Sequence, residues 1–247
     1  MAIKAVLFDF GETLVQDAKP VEKTLPRAIL SSYEALRRNG LNLQYEQYKE
    51  LSGSAFQRHW KLGLERNRPV LDLVVYQEIV DSLFPSRSRV WSNRVSAQTN
   101  DAFWGVITRN YVMNRHARLA LAKLKAMKLR MAVISNLSNP QAVSATLERL
   151  RLAEYFARTF VSSEVGTAKP DPRIFEMCLA SIKTPPGHAV FVGDSPSSDV
   201  VGAKKAGMRA ILLANDTPPG QNHQTDTEPD FVVHDLLEVV GIVSSLA

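Results

Sequence analysis

Four short stretches of the chain carry side chains able to do chemistry at one place. Asp9 ends an apolar run and is followed by Phe10, Gly11, Glu12 and Thr13. A carboxylate at the end of a buried strand can serve as a nucleophile or a metal ligand. Another apolar run ends in Gly193-Asp194-Ser195-Pro196-Ser197-Ser198-Asp199, which adds two carboxylates at short spacing. Three carboxylates converging on one edge repel one another, and a divalent cation with oxygen ligands relieves that repulsion. A few carboxylates with waters and a phosphate is the arrangement that suits Mg²⁺. Ser135 and Asn136 close a further run and offer a hydroxyl and an amide as hydrogen-bond donors to phosphate. Lys169, in Thr167-Ala168-Lys169-Pro170-Asp171, adds a cation just before a helix that Pro172 can open.

Strands must deliver these groups. Runs rich in Val, Ile, Leu and Phe recur at Ile3–Phe8, Met131–Ile134, Thr159–Val161, Ala189–Val192, Ala210–Leu213 and Phe231–Val233. Near-continuous apolar runs of this length suit strands buried on both faces. The segments Ala117–Met127, Gln141–Leu150, Arg173–Ser181 and Ser198–Ala206 are each long enough for one crossover helix. Strand–helix alternation predicts an α/β, doubly wound, Rossmann-like parallel sheet with its reactive site at the carboxyl ends of the strands. About 100 residues separate the first strand from the second, and they read as helices. Leu25, Ile29, Tyr33 and Leu36 precede an Asn39-Gly40 stop, and Leu71, Val74, Val75, Ile79 and Leu83 precede Pro85. Tyr45, Tyr48 and Leu51, then Ala102, Phe103, Val106 and Ile107, suggest two more helices. The expected organisation is a core domain of residues 1–14 and 114–247 with a helical domain inserted over 15–113. Residues 215–230, rich in Pro, Asp, Thr and Gln, read as a polar loop.

DFGET at 9–13, SN at 135–136, KPDP at 169–172 and GDSPSSD at 193–199, in this order and each after the expected element, resemble the four motifs of the haloacid dehalogenase (HAD) superfamily. The inserted helices resemble that superfamily's helical cap, which closes over the active site and selects substrates. Most members are Mg²⁺-dependent phosphohydrolases that work through an aspartyl-phosphate. The resemblance implies Asp9 as the nucleophile, with Mg²⁺ held by Asp9, the Gly11 carbonyl and Asp194. It implies that Ser135, with Asn136, hydrogen-bonds the phosphoryl group and that Lys169 neutralises its charge. Asp199 would orient Lys169 or a metal-bound water. The implied partner is a small phosphorylated metabolite.

One departure bears on mechanism. Family phosphatases carry a second aspartate two residues after the nucleophile, as acid for the leaving alcohol and base for water. Here that position is Gly11, which has no side chain to move a proton. Glu12 on an extended chain points to the opposite face from Asp9; a local twist would bring it round, and Asp17 is a more remote substitute. Three readings stay open: a phosphohydrolase favouring leaving groups that need little protonation, such as aryl, acyl or anomeric phosphates; a 2-haloacid dehalogenase-type enzyme, whose halide leaves unprotonated; and a catalytically quiet phosphate-binding protein.

Composition bounds the rest. The 247 residues are 45% hydrophobic and 22% charged, ordinary for a globular chain. The net charge of +5 is uneven, because Arg87 to Arg130 holds ten basic residues and one acid, a net +9 against −4 elsewhere. That stretch reads mainly as a solvated helix face, since Lys123 and Lys125 cannot share a face with Leu121 and Leu124, so no nucleic-acid partner is expected. A single cysteine, Cys178, cannot form an intramolecular disulfide and reads as a core residue. Asp9 would interrupt the apolar stretch of a signal peptide, and no apolar run approaches ~18 residues, so a cytoplasmic protein without a membrane span is expected. The five histidines show no metal-ligand spacing. Trp60, Trp91 and Trp104 read as core of the insertion. Arg58, His59, Lys61, Arg66 and Arg68 read as a charged cap loop, more a solvated face than a substrate contact.

Overall fold

The computed structural model describes residues 2–65, 68–214 and 225–246. Arg66, His223 and the part of the expected polar loop at 215–224 lie outside the described residues. In chain order the elements are β1 (Ala5–Phe8), β2 (Val15–Asp17), α1 (Val21–Arg38), α2 (Tyr45–Glu65), α3 (Asp72–Leu83), α4 (Arg89–Asn110), β3 (Tyr111–Met113), α5 (Ala117–Ala126), β4 (Arg130–Ser135), α6 (Pro140–Arg149), β5 (Arg158–Val161), α7 (Ser162–Val165), α8 (Pro172–Ser181), β6 (Ala189–Gly193), α9 (Val201–Lys205), β7 (Arg209–Leu213), β8 (Phe231–Val233) and α10 (Leu236–Ser245). A π-helical turn, Pro196–Val200, runs directly into α9. The chain divides into two compact units, Met1–Gln16 with Val112–Leu137 and Val143–Ala247, and Asp17–Tyr111 with Ser138–Ala142.

The first unit is built on a six-stranded sheet of order β5-β4-β1-β6-β7-β8, with every pairing parallel. β1 is the hub: the chain moves outward through β4 and β5, then returns to place β6 on the other flank of β1. The switch point therefore lies between the carboxyl ends of β1 and β6, where an open α/β sheet leaves a crevice for ligand. The apolar runs are continuous because both faces are covered. Ala5, Leu7, Ala132, Ile134 and Phe191 pack against Ile174, Phe175 and Cys178 of α8 and Ala203 of α9. Their strand neighbours Val6, Phe8, Val133 and Val192 are buried just as fully. Fully burying one such side chain is worth roughly 1.5–3 kcal/mol. The cysteine sits inside this core. Helix α8 opens as its sequence suggests, with Pro172 in the first turn and the Asp171 side chain accepting from the Arg173 amide at 2.9 Å.

The second unit is helical, and α1 to α4 enclose their own core of Tyr33, Leu36, Tyr48, Val75, Tyr76, Ile79 and Val95. Buried hydroxyls are partnered: Ser32 Oγ and Tyr48 Oη lie 2.8 Å apart, and Tyr33 Oη donates to the Leu43 carbonyl at 2.9 Å. Helix α1 stops where expected, with Asn39 at the cap and Gly40 at φ +95°. Two expectations need correction. Arg58, His59 and Lys61 are not in a loop, because α2 runs through them to Glu65; Arg58 and His59 both contact Glu78 of α3, each at 2.6 Å. Trp60 is not core: it is 68% exposed, whereas Trp104 is buried and Trp91 packs edge-on to Phe84. Among the described residues no helix is long and apolar enough to cross a membrane.

Candidate active site

Asp9 follows β1 directly, and its amide donates to the Val192 carbonyl at 2.8 Å, continuing the β1–β6 ladder by one residue. That bond places Asp9 beside Gly193 and Asp194, the residues ending and following β6. Lys169 arrives from the other side, on the segment between α7 and α8, where its peptide to Pro170 is cis. Its Nζ pairs with Asp9 Oδ1 and lies 2.7 Å from Asp199 Oδ1, with the Phe191 ring centroid 5.4 Å away. Asp9, Lys169 and Asp199 are all buried, and Asp194 is half-buried.

Asp199 is presented by the π-helical turn after β6, and its Oδ2 accepts from the Ser195 amide at 3.0 Å. Its carboxylate lies where a side chain at position 193 would be, so only glycine fits there. Ser135, at the end of β4, is buried, and its Oγ accepts from the Leu137 amide at 3.2 Å. That bond occupies a lone pair and leaves the hydroxyl proton to donate.

One carboxylate oxygen from each of Asp9, Asp194 and Asp199 lies within 4.8 Å of the other two. Three carboxylates facing one lysine leave an excess of negative charge in a dry place. Burial, reinforced by the charge of Asp199, pushes the Asp9 carboxyl up to about 6 despite Lys169. Burial followed by repulsion from Asp9 and Asp199 pushes Asp194 up to about 8. Burial alone would lower Lys169, yet Asp199 and Asp9 outweigh it and hold the ammonium above the ordinary lysine value. These directions agree, because one cation shared by two carboxylates stays charged while the carboxylates remain in excess. The unbalanced set of hard oxygen donors fits a divalent cation.

Asn136 has a backbone role besides the phosphate contact expected of it: one N–H of its amide is committed to the protein, and the amide carries a second. Its Nδ2 donates to the Lys169 carbonyl and its Oδ1 accepts from the Lys169 amide, both at 2.9 Å, so it clamps the backbone that carries the lysine. Glu12 is not on an extended chain: it is exposed, at φ +52°, in a tight turn where the Leu14 and Val15 amides both donate to the Phe10 carbonyl. Asp17 accepts from Asn110 Nδ2 at 2.8 Å and is thereby held in the second unit. Thr13 escaped notice in the sequence although its hydroxyl, fully buried, donates to Asp194 Oδ1 at 3.5 Å. A small hydroxyl residue four positions after Asp9 was the only signal, and its type alone does not distinguish it from a turn residue.

A family model for haloacid dehalogenase-like hydrolases matches residues 3–207. The chain belongs to the haloacid dehalogenase-like hydrolase family. Within that family it is 30% identical over 217 residues to a glyceraldehyde 3-phosphate phosphatase of Pyrococcus abyssi, covering 85% of this chain and 80% of that one. A phosphoserine phosphatase of Thermus thermophilus is 36% identical over 131 residues, which is 53% of this chain and only 51%, about half, of the relative. Among solved structures, a 2-haloacid dehalogenase from Pseudomonas syringae pv. Tomato superposes with a TM-score of 0.71 at 25% identity, covering 99% of this chain and 100% of that one. As a family member, the chain is a hydrolase whose acidic cluster can hold a divalent metal.

Proposed function

We propose that the protein is a Mg²⁺-dependent phosphohydrolase of small phosphomonoesters, with Asp9 as nucleophile. The observation that carries this reading is Lys169 buried between Asp9 and Asp199, with Asp194 completing a carboxylate cluster. Mg²⁺, when bound by Asp9, the Gly11 carbonyl and Asp194, would supply charge neutralisation at the phosphoryl oxygens. Lys169 holds Asp9 in place and adds positive charge beside the oxygens of the transferring group. Ser135 donates its hydroxyl proton to one of those oxygens. Asp199 positions Lys169, Asn136 fixes the lysine's backbone, and Thr13 orients Asp194. Asp9 attacks phosphorus, the bond from phosphorus to the ester oxygen breaks, and an aspartyl-phosphate forms; water then attacks phosphorus, releasing phosphate and restoring Asp9. The small phosphorylated compounds in the names of the two phosphatase relatives support this substrate class. The unit of residues 17–111 would be the family's cap.

Gly11 shapes the chemistry. No proton donor stands at that position, so the leaving oxygen departs largely unprotonated, which favours aryl, acyl and anomeric phosphates over alkyl ones. The same absence, together with the likeness to a 2-haloacid dehalogenase, supports a second reading in which Asp9 attacks carbon and halide leaves. A phosphate-release panel run with Mg²⁺, with EDTA and with Asp9→Asn tests the first reading. It is abandoned if no ester is hydrolysed, or if neither EDTA nor the substitution matters. Halide release from short 2-halo acids without metal would establish the second, and silence in both assays would leave a phosphate-binding protein.

A further inference from the structure

A cavity of about 820 Å³ opens within the helical unit. This volume falls in the range of small-molecule sites. Its walls are largely aromatic and aliphatic, with Phe56, Trp60, Tyr76, Phe103, Trp104 and Ile107 among them. Two of its hydroxyls are committed to the protein: Ser32 Oγ bonds to the Ile29 carbonyl and Tyr48 Oη, and Ser52 Oγ donates to the Lys49 carbonyl. Asp72 is a buried carboxyl on an apolar wall that accepts from Trp104 Nε1 at 3.0 Å and from Ser138, and its two oxygens keep further lone pairs to accept with. Burial raises its pKa above the ordinary value.

Charge decides what such a cavity can hold. No lysine, arginine or histidine is among the described residues that line it. An anionic ligand would lose its hydration without a partner and would face Asp72, so a carboxylate or second phosphate is excluded. An ammonium would need to give up its hydration for one carboxyl that already accepts from Trp104 and Ser138. Flat rings instead find edge and face contacts on four or more aromatic side chains.

We propose that this cavity is a binding site for an uncharged, ring-sized apolar organic molecule whose single hydrogen-bonding group reaches Asp72. Two sources share that chemistry: the organic half of a phosphate ester, and a free organic molecule that does not react.

Calorimetric titration of the full chain near neutral pH with 1-naphthol, uncharged there, and with 1-naphthoate, its anionic counterpart, tests the site. Naphthol should bind saturably, at one site, at least about tenfold tighter than naphthoate. Gly53 lines the cavity from inside α2, and a Cβ added there meets nothing within 4 Å, so Gly53→Phe should fill it without displacing backbone. That variant should bind naphthol at least about tenfold more weakly with an unchanged or higher melting temperature, because glycine is a poor helix former. Leu25→Arg, at a lining position 40% exposed, should reverse the preference in favour of naphthoate. Competitive inhibition of ester hydrolysis by naphthol would identify the organic half of the substrate as occupant; binding without inhibition would identify a free organic ligand. Absence of saturable naphthol binding, equal affinity for naphthoate, or insensitivity to both substitutions would overturn the proposal whatever reaction the acidic site performs.

Discussion

On the proposed phosphohydrolase reading, Gly11→Asp should extend hydrolysis to alkyl esters. A Cβ added at Gly11 meets nothing within 4 Å, and the backbone there is not left-handed, so the side chain enters open space. Replacing glycine where the conformation allows it stabilises by about 0.4–1 kcal/mol through the unfolded chain. Against this stands repulsion from Asp9: at about 6.5 Å and an effective dielectric of about 20 it costs about 2.5 kcal/mol, less once Lys169 and a bound cation offset the charge of Asp9. The repulsion has a use. It raises the new carboxyl above the ordinary aspartate value, toward the range where it can keep a proton to donate. A positioned general acid is worth about 10²–10⁴-fold, or about 2.7–5.4 kcal/mol of barrier. The assay compares kcat/KM for a series of phosphates whose leaving alcohols span alkyl to nitroaryl. Wild type should show a steep dependence on leaving-group acidity, and the variant a shallow one, with alkyl rates raised by two orders of magnitude or more and aryl rates nearly unchanged. An equal rise for both classes, or none, would refute the idea that position 11 limits protonation.

Three further outcomes follow from the same geometry. Gly193→Ala should place a methyl on the Asp199 carboxylate, costing about 1–3 kcal/mol of stability as overpacking and lowering kcat by displacing Lys169; a melting curve and rate both unchanged would contradict this. Mg²⁺ should raise the melting temperature more at pH 8 than at pH 5. Folded carboxyls raised to about 6 and about 8 from an ordinary value of 3.8 make the metal-free fold lose stability as pH climbs through that window, and a saturating ion at 100 times its Kd adds about 2.7 kcal/mol. Burial pushes the Cys178 thiol up to about 12, so a thiol reagent at neutral pH should label it only at the rate of unfolding; fast labelling of native protein would show the core to be open.

The strands were legible because burial on both faces leaves no polar alternation. Ala5–Phe8 and Ala189–Gly193 are continuous apolar runs, and their ends mark where Asp9 and Asp194 stand. Convergence of those two residues followed from topology, since a parallel sheet wound both ways from β1 leaves its crevice between β1 and β6. What escaped depends on which of several partners a side chain takes. An asparagine amide suits phosphate as well as backbone, and only the loop carrying Lys169 shows that Asn136 takes backbone among its partners. Position 12 turned left-handed because the chain reverses tightly after β1, which residue type alone does not announce. Helix α2 runs past Gly53 and Gly63 through tertiary packing that overrides their low propensity, so a charged stretch that reads as a loop lies on a helix. Trp60 has the type of a core residue but lies at the rim of a cavity, a distinction that needs all four helices in place.

The account stands on Asp9 attacking phosphorus. A single turnover of an aryl phosphate carrying labelled phosphorus, with Mg²⁺ present, acid-quenched and digested, reads this directly. The label should appear on the peptide containing Asp9 before it appears as free phosphate, and Asp9→Asn should show neither. Phosphate released at an undiminished rate with no label ever on that peptide, or release unaffected by Asp9→Asn, would contradict it.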